Sequence, residues 1–261
     1  MSNAEPQIRA PISPVWRQIT KTLAPRAASR DGVLPSLMIL LTVVTGIVDA
    51  VAYLDLGHVF VANMTGNVVF LGFAAAGASG LSVAGSLLAL ACFLLGSAGA
   101  GRIASRLGEN RLGHLRAATA VQVVLCVATI PVAAVAGDDL GPRSRYTLIV
   151  LLALAMGVQN VTARRLAVAD LTTTVLTMTL TGIAADSRLG GGSGERTARR
   201  VLSVAAMLLG ATIGGLLLLR VAPVVPLALG AAILAIVCAA SDRAARREDA
   251  ADRHRWDSGG R

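Results

Sequence analysis

The stretch Gly46-Ile47-Val48-Asp49, followed by Asn63-Met64-Thr65-Gly66-Asn67-Val68-Val69, has a counterpart further along the chain. There the residues read Gly157-Val158-Gln159-Asn160, followed by Asp170-Leu171-Thr172-Thr173-Thr174-Val175-Leu176. A third pair keeps the same order: Leu94-Leu95-Gly96-Ser97-Ala98-Gly99-Ala100-Gly101 against Leu208-Leu209-Gly210-Ala211-Thr212-Ile213-Gly214-Gly215. The offsets are 111, 107 and 114 residues. Each match alone is weak, but their common order points to a duplication, with repeat one over about 34–136 and repeat two over about 146–240.

The surroundings of these motifs are apolar. Of 261 residues, 54% are hydrophobic and only 15% charged, with a mean hydropathy of +0.68. A soluble domain carries roughly a quarter charged residues, and a disordered chain has low hydrophobicity. Eight apolar segments can be drawn, at about 35–54, 59–78, 81–101, 117–136, 146–162, 168–185, 201–219 and 222–240. The chain therefore reads as an all-α polytopic membrane protein. A basic segment (1–33) and a basic tail (241–261), both expected to be cytoplasmic, flank one membrane domain (34–240). Residues 14–24 space Val15, Trp16, Ile19 and Leu23 helically around Arg17 and Lys21, which fits either a short interfacial helix or an unstructured segment. No short apolar run before residue 34 ends in a cleavage-like site, so no cleavable signal is expected.

Net charge is +9, and its placement discriminates between topologies. If all eight segments cross, 17 basic residues fall on the cytoplasmic side and 7 outside. If the second segment of each half (59–78 and 168–185) dips in and returns, only Arg143, Arg145 and Arg220 stay outside, giving 21 against 3. The excess of Lys and Arg on cytoplasmic flanks favours the second arrangement. Six transmembrane helices plus two re-entrant or broken segments would leave the halves in opposite orientations, an inverted repeat; eight plain spans are the alternative.

The two candidate re-entrant segments are also the most polar of the eight. The first carries Asn63, Thr65, Gly66 and Asn67; the second carries Asp170, Thr172, Thr173 and Thr174, with Thr177, Thr179 and Thr181 beyond. Non-helical backbone survives at membrane depth only where it is buried in protein or lines a wet cavity. Thr and Asn can satisfy freed amides there, or contact a solute. Asp49 lies a dozen apolar residues into its segment, where a carboxylate is costly and so a candidate functional group. Its counterpart is Asn160, preceded by Gln159. The later threonines read more simply as bonds between helices, the glycine sets as close packing, and Arg164 and Arg165 as side chains reaching the surface.

Catalytic and cofactor motifs are missing from the sequence. Cys92, Cys126 and Cys238 stand singly in apolar runs, and His58, His114 and His254 form no ligand cluster, so no metal, cofactor or enzymatic activity is expected. Gly190-Gly191-Gly192-Ser193-Gly194 lacks the Lys-Ser/Thr ending of a phosphate loop. Aromatics are 3% of the chain, too few for a nucleic-acid stacking platform. Membrane lipid is the expected surrounding, a small solute or ion the expected ligand, and self-association into a homo-oligomer stays open.

Gly46-Ile47-Val48-Asp49-Ala50 with Ala62-Asn63-Met64-Thr65-Gly66-Asn67 resembles the bacterial YoaK family of integral membrane proteins, a domain of unknown function. Gly157-Val158-Gln159-Asn160 and Thr172-Thr173-Thr174 resemble that family's second signature, and the likeness covers about residues 35–240. It implies a membrane location and supplies no substrate. The residues themselves point to a transporter or channel for a small polar solute or ion, with Asp49, Asn63, Thr65, Gly66, Asn67, Gln159, Asn160, Asp170 and Thr172–Thr174 along its pathway. The alternative is a non-transporting accessory, sensor or scaffold whose basic ends recruit a partner.

Overall fold

The structure is a computed structural model, and it describes residues 32–108, 110–137, 140–168, 176–186 and 197–259. Those residues form eight helices: α1 (Leu34–Asp55), α2 (Met64–Ala75), α3 (Val83–Leu107), α4 (Arg111–Ala136), α5 (Pro142–Leu166), α6 (Leu176–Ala185), α7 (Thr197–Arg220) and α8 (Val224–Gly259). The helix boundaries follow local chemistry. Pro35 and Pro142 stand in the opening turns of α1 and α5, where a fixed φ and a missing N–H cost nothing. Ser82 and Asn110 cap α3 and α4 by accepting the N–H groups of Gly85 and Gly113. Gly108 and Gly137 end the same two helices at positive φ.

Length separates the helices into two classes. Six are long and apolar enough to cross a bilayer: α1, α3, α4, α5, α7 and the Val224–Arg247 part of α8. At 1.5 Å per residue, 22 to 26 residues cover roughly 33–39 Å, more than the hydrocarbon thickness. Helices α2 and α6, with 12 and 10 residues, cannot cross. The described helix in the second segment of each half is thus too short to cross, as the charge count favoured. In the first half the chain also returns to the side it left: Leu54, Gly57 and His58 line one cleft together with Gly80, Ser82 and Arg145. Helix α8 does not stop at residue 240 but runs on through the basic tail, helped by the Asp242–Arg246 pair at 2.8 Å.

Packing follows the burial of the helices. In α1, 72% of the most apolar window is buried and in α5 61%, against 22% in α7, so α1 and α5 form the centre. The close contacts come in matched pairs. Helix α1 packs along α7 as α3 packs along α5; α1 meets α8 as α5 meets α4; α2 lies on α3 as α6 lies on α7. A Cβ on Gly46 would overlap the backbone of Met207, and one on Gly210 that of Val43. Correspondingly, a Cβ on Gly157 would overlap the backbone of Phe93, and one on Gly96 that of Leu154. Ser97 adds a hydrogen bond of 3.2 Å to the Gly157 carbonyl. Backbones this close make many dispersion contacts, the association that lipid permits. Gly99 and Gly101 meet nothing within 4 Å and take no part. Leu94, Leu95, Leu208 and Leu209 point away from the bundle, at the positions lipid would cover.

Arg116 bonds Asp242 at 3.0 Å, so the start of α4 and the extension of α8 share one end of the bundle. In a Cys238→Ser background, Ser105→Cys and Arg243→Cys should therefore be alkylated from the same side of the membrane. Labelling from opposite sides would restore eight crossings.

Candidate functional site

Beyond Asp55 the chain leaves helical geometry and re-enters the bundle as non-helical backbone, with Val59, Val61 and Ala62 buried. Amides of such a segment need partners in an interior without water. Two side chains supply them. Asp49 Oδ1 accepts the N–H groups of Val61 (3.1 Å) and Ala62 (2.9 Å). Asn67 clamps the neighbouring residue from the other side: its Oδ1 accepts the Phe60 N–H at 2.8 Å, and its Nδ2 donates to the Phe60 carbonyl at 2.6 Å. The Phe60 ring then lies on Gly66, where a Cβ would overlap it, and stacks between Tyr53 and Phe70 at 5.1 and 5.8 Å. The motif Asn63-Met64-Thr65-Gly66-Asn67 is in this respect a device for holding broken backbone.

A cavity of about 620 Å³ opens beside this segment. Asp49, Asn63, Thr65, Gly66 and Asn160 line it, five of the residues picked out from the sequence. Asp49 Oδ2 is buried and has no hydrogen-bond partner among the described residues. Asn160 donates to the Met156 carbonyl at 3.0 Å and presents its amide from α5. Phe93 and Met207 close the walls, and Leu176 and Thr177 enter from α6. The lining falls into corresponding pairs from the two halves: Asp49 with Asn160, Val69 with Leu176, Phe70 with Thr177, Phe93 with Met207. These pairs keep the offsets of the sequence motifs.

Two picked residues lie elsewhere. Asn67 is fully buried in the clamp on Phe60 and is not in the cavity lining. Gln159 is fully buried between α5 and α1, donating to the Leu41 carbonyl at 3.1 Å and to Thr45 Oγ1 at 2.6 Å. Asp170, Thr172, Thr173 and Thr174 lie outside the described residues. Sequence reasoning set Thr177 aside as packing, although its correspondence to Phe70 within the short segment was a usable signal. Phe93 and Met207 are apolar residues in apolar helices and carried no signal at all.

A family model described as "Protein of unknown function (DUF1275)" matches residues 37–240. The UPF0700 transmembrane protein YoaK of Bacillus subtilis (strain 168) is 36% identical over 162 residues, which cover 58% of this chain and 66% of that relative. The match thus spans just under two thirds of the relative's length. No solved structure matches the chain. The six membrane-length helices and a transmembrane relative make this a multi-pass membrane protein.

The clamp makes a measurable difference between two neighbours. Asn67→Ala removes both bonds to Phe60 and leaves buried polar groups unpaired, which should cost about 1–3 kcal/mol. Thr65→Ala, at an exposed position on the cavity wall, should leave stability nearly unchanged. Thermal unfolding of the two purified variants in one detergent checks the contrast; equal melting temperatures would remove the clamp from the account.

Proposed function

Because the chain belongs to the DUF1275 family, which brings no activity with it, we propose a function from geometry: passage of a small polar solute or cation through the cavity beside Asp49. The observation that carries this reading is the gathering of Asp49, Asn63, Thr65 and Asn160 around one space inside a membrane bundle. An intramembrane carboxylate in a cavity wall, with one oxygen lacking a hydrogen-bond partner among the described residues, can attract a cation or exchange a proton. Carbonyl and hydroxyl oxygens nearby can replace part of a hydration shell.

The matched helix contacts and matched lining support an inverted repeat, with the cavity where the halves meet. In such architectures, broken segments meet near the midplane and the halves rock about the site. Here the Gly46–Met207 and Gly157–Phe93 contacts run between the halves, so rocking would slide small residues past backbone. Arg102, Arg106, Arg164 and Arg165 gather with the α8 extension at one end, while Arg143, Arg145 and Arg220 lie at the other. That asymmetry supports a cytoplasmic C-terminus.

The test is flux through the full chain in liposomes, measured with an internal pH dye under imposed proton, sodium and potassium gradients and with a panel of small polar solutes. Asp49→Asn keeps the Oδ1 acceptor for Val61 and Ala62 but removes the charge. It should lower flux roughly tenfold or more, the size of one lost charge-assisted contact, at an unchanged melting temperature. Flux that survives Asp49→Asn unchanged would end the assignment of that residue. Liposomes no more permeable than empty ones, across the whole panel, would end the transport reading.

A further inference from the structure

The end of the bundle richest in arginine holds a second cavity, of about 330 Å³, between the end of α3, the first turns of α4 and the end of α5. Among the described residues its polar lining is Asn110, Arg111, His114 and Arg165. We propose that this cavity binds a phosphate group, borne either by an anionic lipid headgroup or by a free phosphate compound. The site is separate from the cavity beside Asp49, and its assignment does not depend on transport.

Three independent features converge on an anion. His114 is 4% exposed, and both of its ring nitrogens are buried without a hydrogen-bond partner among the described residues. His114 is part of the cavity wall, and a buried polar ring there is completed by a ligand that can bond it. Arg111 occupies the first position of α4, where the helix dipole disfavours a cation. Its Nη2 donates to the Leu166 carbonyl, and both residues line the cavity. An anion in the cavity would meet the guanidinium groups of Arg111 and Arg165 in its wall and the first turn of α4. No acidic side chain lines the cavity among the described residues; Glu109, which joins Gly108 to Asn110, lies outside them.

Comparison of the two halves argues that packing does not demand His114. Helix α4 opens Arg111-Leu112-Gly113-His114, and the corresponding helix α8 opens Val224-Val225-Pro226-Leu227. The fourth residue is buried in both, but in α8 it is an ordinary leucine with no polar group to satisfy. The basic, donor-rich form exists only at the arginine-rich end, where anionic headgroups would gather. Phosphate suits a lining made of donors because it offers several acceptor oxygens to guanidinium and imidazole at once.

The full chain in neutral detergent supplies the test. Thermal unfolding would be followed during titration with inorganic phosphate, against chloride at equal ionic strength. In parallel, the chain in nanodiscs of phosphatidylglycerol or phosphatidylcholine would be compared by native mass spectrometry for retained lipid. Saturable stabilisation by phosphate identifies a free ligand; selective retention of phosphatidylglycerol without a phosphate response identifies the lipid. Either response should weaken roughly tenfold in Arg165→Gln, which changes an exposed side chain, and stay unchanged in Arg220→Gln at the opposite end. His114→Gln should weaken it too, read against the melting temperature of that variant alone. Absence of both responses, or equal responses from the unaltered chain and Arg165→Gln, overturns the proposal.

Discussion

Everything in this molecule answers to one constraint: inside a bilayer no water is available to bond a backbone amide. The long helices meet it internally. The break between α1 and α2 cannot, and there the chain spends its scarce polar side chains. Asp49 reaches across from α1 to Val61 and Ala62, and Asn67 reaches back from α2 to Phe60. Both residues do work that a helix would have done unaided. The break in turn brings Asn63 and Thr65 into one cavity wall with Asp49, so the cavity is a consequence of how the break is satisfied.

A second constraint operates between helices. Lipid tails are as apolar as the side chains, so burial in the membrane offers little reason for helices to associate, and close backbone approach takes over. Gly46 against Met207, Gly210 against Val43, Gly157 against Phe93 and Gly96 against Leu154 are points of close approach, and all four join one half to the other. Met207 and Phe93 also wall the cavity. The glycines therefore set where the walls stand, although none of the four packing glycines touches the cavity itself. Gln159 adds a fixed polar tie between the two central helices at Leu41 and Thr45.

Much of this was legible beforehand. The charge distribution favoured six crossings because arginine placement responds to orientation, and the six long helices agree. Asp49, Asn63, Thr65, Gly66 and Asn160 stood out because polar residues in an apolar run are costly, and all five line one cavity. The same reasoning could not separate Asn67 from Asn63, four residues apart and equally polar. Which of them faces the space and which bonds Phe60 depends on the turn of the chain between Leu56 and Asn63. His114 was passed over as a lone histidine, because Arg111 is near it in sequence but Arg165 only in space.

Composition, periodicity and charge placement were sufficient for the membrane class and for the six membrane-length helices among the described residues. Those properties are sums over many residues, and transfer from water to lipid acts on each residue wherever it lies. Partners belong to the tertiary structure alone. Asp49 and Asn160 line one cavity although more than a hundred residues separate them, and Gly46 packs on Met207 across still more. Neither arrangement has a local cause. Each arises from the way the long helices pack, through close glycine contacts, around a break whose amides had to be bonded.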